Sequence, residues 1–84
     1  MKNKVLVKLV VPEIDEKYDL YLPLNKQIGN IIELVNRSLK EISKDSFVPN
    51  TSRVLYNRDT GEVYNPNMFL KDSNIRNATT LILL

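Results

Sequence analysis

The chain has neither cysteine nor histidine in its 84 residues. Without cysteine there is no disulfide, no thiolate metal site and no thiol nucleophile. Without histidine the commonest general base and the commonest metal ligand are missing. Catalysis would fall to carboxylates or lysine in a pocket, for which a domain this small has little room, so no enzyme, cofactor or metal ion is expected. One acidic cluster, Glu13, Asp15 and Glu16, reads as a solvated turn. Three carboxylates on a turn do not make the roughly six to eight oxygens that calcium wants. Long apolar runs are also lacking. The opening MKNKVLVKLVV has the basic start of a signal peptide, but Lys8 interrupts it, Pro12 ends it and no small-residue cleavage site follows. It reads as a strand, and nothing approaches the roughly 20 apolar residues of a membrane helix. A strong charge of either sign is absent too: the net charge is +2, too small by itself to argue for nucleic acid. The lack of cysteine fits the cytoplasm, which is the expected location.

What is present is an ordinary globular composition, 43% hydrophobic and 26% charged, in a length that makes one domain over residues 1–84. Ile28, Ile31, Ile32, Val35, Leu39 and Ile42 recur at helical spacing and form one apolar stripe. Glu33, Arg37 and Glu41 run down the opposite side at i,i+4 spacing. The spacing predicts a helix from about Lys26 to Ser43, N-capped by Asn25, with Gly29 inside it costing about 1 kcal/mol against alanine. Strands flank it. Lys4–Val11 alternates, with Val5, Val7, Leu9 and Val11 on one face and Leu6, Lys8 and Val10 on the other. Glu16–Leu22 is its hairpin partner, half-exposed. Arg53–Asn57 is a third strand, Glu62–Tyr64 a short fourth beyond the Arg58–Gly61 turn, and Thr80–Leu84 the fifth. The first and last strands are the most apolar, so they should be central neighbours. The expected fold is α+β: a β-grasp roll with a mixed five-stranded sheet and one long helix on one face.

This pattern resembles ubiquitin, in Leu22-Pro23 through Val35, in Arg53-Val54-Leu55-Tyr56, and above all in the ending Leu70 to Leu81. Asp19-Leu20-Tyr21-Leu22-Pro23 followed by Ile28, Ile31 and Ile32 is more narrowly similar to the small YukD-like (EsaB-like) bacterial proteins. Those are stand-alone ubiquitin-like domains associated with type VII (WXG100, ESX-like) secretion in Gram-positive bacteria. The resemblance implies a non-catalytic accessory or regulatory protein and offers no catalytic residue. One departure stands out: that family often has an Asp-Gly-Asp-like turn before the last strand, where this chain has Asn77-Ala78-Thr79. Ubiquitin-type conjugation and sulfur transfer need a slim Gly-Gly tail. Here the only glycines are Gly29 and Gly61 and the ending is Leu81-Ile82-Leu83-Leu84, so neither activity is expected.

Ubiquitin-like domains commonly bind partners through the sheet face away from the helix. With Val5, Val7 and Leu9 inward, Leu6 and Val10 point out; with Val54 and Tyr56 inward, Leu55 points out; with Leu81 and Leu83 inward, Ile82 and Leu84 point out. The expected partner-binding patch is therefore Leu6, Val10, Leu55, Ile82 and Leu84, rimmed by Lys8 and Arg53, and Leu55→Asp should abolish association without unfolding. Its occupant is a protein, either a secretion component or a second copy in a homodimer. Single exposed apolar residues are ordinary; a contiguous patch is less so. The alternative is an RNA- or anion-binding module using a basic rim of Lys2, Lys4, Lys8, Arg53, Arg58, Lys71 and Arg76. No exposed aromatic pair is expected to support it as a stacking platform.

Overall fold

The computed structural model describes residues 3–44, 48 and 52–84. Strand β1 (Lys4–Val11) turns through a short 3-10 segment, Pro12–Ile14, into β2 (Glu16–Pro23). Asp15 takes a left-handed conformation, φ 51°, to make the reversal. The register holds without a bulge from Lys4 opposite Pro23 to Val11 opposite Glu16, and the amide of Leu24 still donates to the carbonyl of Asn3 at 2.8 Å. Hydrogen-bonded pairs alternate along such a ladder. Pro23 therefore falls at a position whose nitrogen faces away from β1, and its missing N–H costs the ladder nothing.

Helix α1 (Ile28–Ile42) starts at the first residue of its apolar stripe, two residues later than the expected Lys26. Its cap is Gln27, not Asn25, and no side chain caps it. The leading N–H groups are met by another part of the chain: Ile28 donates to the carbonyl of Met68 and Gly29 to that of Pro66, both at 2.8 Å. This explains the glycine. A Cβ on Gly29 would stand 3.1 Å from both the Cβ and the carbonyl oxygen of Pro66, so the close approach is to the loop over the helix start.

β3 (Leu55–Asn57) and β4 (Thr80–Leu83) complete a four-stranded sheet in the order β2-β1-β4-β3. β4 runs parallel to β1 and antiparallel to β3, so the first and last strands are the central pair. The fifth strand is not formed among the described residues: Glu62–Tyr64 contributes one bridge, Val63 opposite Tyr56. Polar bonds take the place of a longer ladder there. Asn57 accepts on its side-chain oxygen from the amides of Asp59 and Thr60 at 2.8 and 3.2 Å and donates to the Tyr64 hydroxyl at 3.1 Å. That hydroxyl donates to Asn74 at 2.6 Å. Burial pushes the Tyr64 phenol above its ordinary value of 10.0, with the bond from Asn57 opposing.

The core lies between α1 and one face of the sheet. Val7, Leu9 and Val11 meet Leu81 and Leu83 from the sheet and Ile28, Ile31 and Leu39 from the helix, all essentially inaccessible. Leu70, the first residue of a 3-10 turn at Leu70–Asp72, and Ile75 just after that turn belong to the same buried cluster. Ile42 overhangs the helix end and is exposed. Phe47 and Pro49, expected in the loop after the helix, lie outside the described residues.

Candidate interaction face

The face of the sheet opposite α1 is built by register. Val10 stands beside Ile82, Ile82 beside Tyr56 and Tyr56 beside Val63. Partners in a ladder project to the same side, so these four side chains make one apolar row across three strands and the bridged segment at Val63. One step along, Asp19, Lys8 and Thr80 are aligned. A further step along, Leu6 stands opposite Tyr21. On the other side of the row Val54 and Leu84 exchange two backbone hydrogen bonds of 2.9 and 3.0 Å. Leu6, Tyr21, Val54, Val63 and Leu84 are exposed, while Val10, Tyr56 and Ile82 are half-buried.

Five of the seven residues expected on this face are there: Leu6, Lys8, Val10, Ile82 and Leu84. Leu55 and Arg53 are not. Leu55 pairs with Leu83 and is 3% accessible, so its side chain belongs to the core, and Val54 and Tyr56 point outward in its place. The segment Val54-Leu55-Tyr56 is apolar throughout, so alternation could not fix its facing, and pairing with the inward Leu83 decides it. Arg53 is buried for an electrostatic reason. Its side chain is 6% accessible; it donates to both carboxylate oxygens of Glu13 at 2.8 and 2.9 Å and to the carbonyl of Val48 at 2.6 Å. The guanidinium, together with the Val48 amide, holds the Glu13 carboxyl below its ordinary value of 4.5. Glu13, first met in an acidic turn, is thus a structural partner.

The expected basic rim gathers only in part: Lys4 and Lys8 lie outward on β1 and Arg58 is joined to Thr80 beside them. Arg53 is buried, Arg76 donates to the carbonyls of Ser73 and Ile75 at 2.8 Å, Lys71 lies 5.8 Å from the Phe69 ring centre, and Lys2 is outside the described residues. Sequence reasoning missed Tyr21, Val54, Tyr56 and Val63 as members of the face. A second apolar feature, a cavity of about 180 Å³, lies between the free edge strand β2 and α1, lined by Tyr18, Leu20, Leu34, Val35 and Ile42 among others. Among the described residues no helix is long and apolar enough to cross a membrane.

The fold is ubiquitin-like. The ubiquitin-like domain of the Mycobacterium tuberculosis type VII secretion system protein EccD1 is 14% identical, with a TM-score of 0.71 over 96% of this chain and 97% of that one. The EccD5 ubiquitin-like domain from Mycobacterium xenopi is 19% identical, with a TM-score of 0.66 over 96% and 92%. A structure described as molecular mimicry of SUMO that promotes DNA repair is 15% identical, with a TM-score of 0.74 over 98% and 91%. At these identities the likeness is one of fold. No protein-family model matches the chain, and no curated protein matches it in sequence.

Proposed function

We propose that this protein is a cytoplasmic, non-catalytic accessory of a type VII secretion system, of the YukD/EsaB-like kind, and that it works by docking a protein partner on the outer face of its sheet. The observation that carries the docking half is the unbroken row Val10–Ile82–Tyr56–Val63, with exposed Val54 and Leu84 beside it on one side and exposed Leu6 and Tyr21 beyond the polar row of Asp19, Lys8 and Thr80 on the other. A solvated face of an antiparallel pair ordinarily alternates to polar residues; contiguous apolar surface is characteristic of interaction sites. The secretion half rests on the resemblance carried by Asp19–Pro23 and the following helix, and it gains support from the fold shared with the EccD domains.

The test is affinity capture from a native-host extract, membranes included, comparing wild type with Tyr56→Asp/Ile82→Asp. A secretion-system component retained by wild type and lost by the folded variant is the expected result. Equal retention by both baits overturns the surface, and a catch without any secretion component overturns the pathway.

A further inference from the structure

We propose that the segment seated on the outer face is acidic: a protein segment presenting an apolar stripe flanked by carboxylates. This inference rests on the docking reading above. Its ground is the distribution of charge. Lys4, Lys8 and Lys17 are exposed on the outward side of the β1–β2 ladder, and among the described residues none of the three makes an ion pair. The ladder's outward side carries one carboxylate, Asp19, opposite Lys8. Arg58, whose amide bonds the carbonyl of Thr80, adds a fourth cation at the margin and is itself held 3.4 Å from Asp59. The other exposed side of the molecule has no such bias: α1 alternates Glu33, Arg37, Lys40 and Glu41.

Placement makes the bias useful. Lys17 stands opposite Val10, at one end of the apolar row, and Lys8 lies in the adjoining row. Rows two residues apart on a strand are separated by about 7 Å, so both ammonium groups reach the flank of anything lying along Val10, Ile82 and Tyr56. Their flexible stems cover apolar surface while the charged heads stay in water. Complementary charge of this kind sets orientation and partner choice more than raw affinity.

Single-stranded nucleic acid is the competing occupant, because Tyr21 and Tyr56 both lie on this face. They stand on the two edge strands. Three strand spacings of about 4.8 Å across the sheet and two rows of about 7 Å along it place the rings on the order of 20 Å apart, too far for successive bases to stack on both. Leu6, Val10 and Ile82 lie with Lys8 and Thr80 between them, and the aliphatic side chains favour an apolar protein stripe.

The experiment places a photo-crosslinking p-benzoylphenylalanine at Tyr56, at the more exposed Val63, and at Leu34 on the helix as control, in the native host. Crosslinked peptides are then sequenced. The expected product from positions 56 and 63 is a peptide rich in Asp and Glu around apolar residues. A synthetic copy of it should bind about fivefold more weakly for each of Lys8→Glu and Lys17→Glu, the scale of one exposed ion pair, with recovery on reversing the peptide's charges. A neutral or basic crosslinked segment, or one indifferent to both substitutions, overturns the acidic partner and leaves the docking face standing. A nucleic-acid adduct overturns the protein partner. Crosslinks from Leu34 with none from 56 or 63 overturn the docking face as well.

Discussion

The inner and outer faces of the sheet are drawn from the same strands, one residue out of phase, and they obey different rules. On the inner face Val7, Leu9, Leu55, Leu81 and Leu83 are each 3% accessible or less. On the outer face their sequence neighbours Leu6, Val54 and Leu84 remain 38–51% accessible, although they are equally apolar. Hydrophobicity alone therefore does not separate core from surface here; register does. The inner face holds the fold together, and the outer face keeps apolar area available for a partner.

The sharpest way to break this distinction is a pair of adjacent charges. Leu55→Asp should unfold the protein, since it both removes a core side chain, costing about 2–5 kcal/mol, and buries a carboxylate. That is comparable to the whole stability of a small domain, about 5–15 kcal/mol. Tyr56→Asp should keep a cooperative melt and native circular dichroism while losing partner binding. If both fold or both unfold, the assigned facing of β3 is wrong. The same logic applies to β4. Leu81→Ala should cost about 2–5 kcal/mol in urea unfolding, and half-buried Ile82→Ala about 1 kcal/mol, in line with the smaller apolar area removed.

Two smaller effects sharpen the margins. Ala78 has φ 72° in the turn where Ala78 donates to the carbonyl of Leu6 and the Asn77 side chain accepts from the Leu6 amide, both at 2.8 Å. Left-handed backbone costs a non-glycine residue roughly 1–2 kcal/mol. Glycine partly offsets this by its greater freedom when unfolded, so Ala78→Gly should raise the unfolding midpoint slightly; a lowered midpoint would contradict the strain. The smallest effect concerns Glu13. Its carboxyl titrates lower folded than free, so its contribution is fully present above the ordinary value of 4.5 and is lost as pH falls through the depressed folded value. Between pH 7 and pH 3, wild type should lose more stability in urea than Glu13→Gln, and parallel losses would show that Arg53 gains nothing from the pair.

Much of the fold was legible because two signals were strong. Alternation in Lys4–Val11 located β1 to the residue, and the stripe from Ile28 to Leu39 located α1 and its buried side. Legibility failed where a local rule was silent or overridden. Val54-Leu55-Tyr56 has no polar residue to set its phase, so Leu55 was expected on the wrong side. Arg53 looked like a surface cation because nothing local announces that Glu13, forty positions away, will hold it. The helix start had a plausible cap in Asn25, but distant carbonyls of Pro66 and Met68 took that role. Glu62–Tyr64 has strand character, yet side-chain bonds through Asn57 and Tyr64 fix the segment after a single bridge.

The parallel pairing of β1 with β4 also sets an order of events. The central contact of the sheet joins Leu9 to Leu81 and Val10 to Ile82, some of the most distant residues in the chain. Closing a loop that long is slow compared with forming a hairpin or a helix. On a ribosome, β1, β2 and α1 emerge early with their apolar sides uncovered, and the gap between β1 and β3 stays open until Thr80–Leu83 arrives. The domain closes only once Thr80–Leu83 has been made, and until then the surface that becomes its core is open to chaperones.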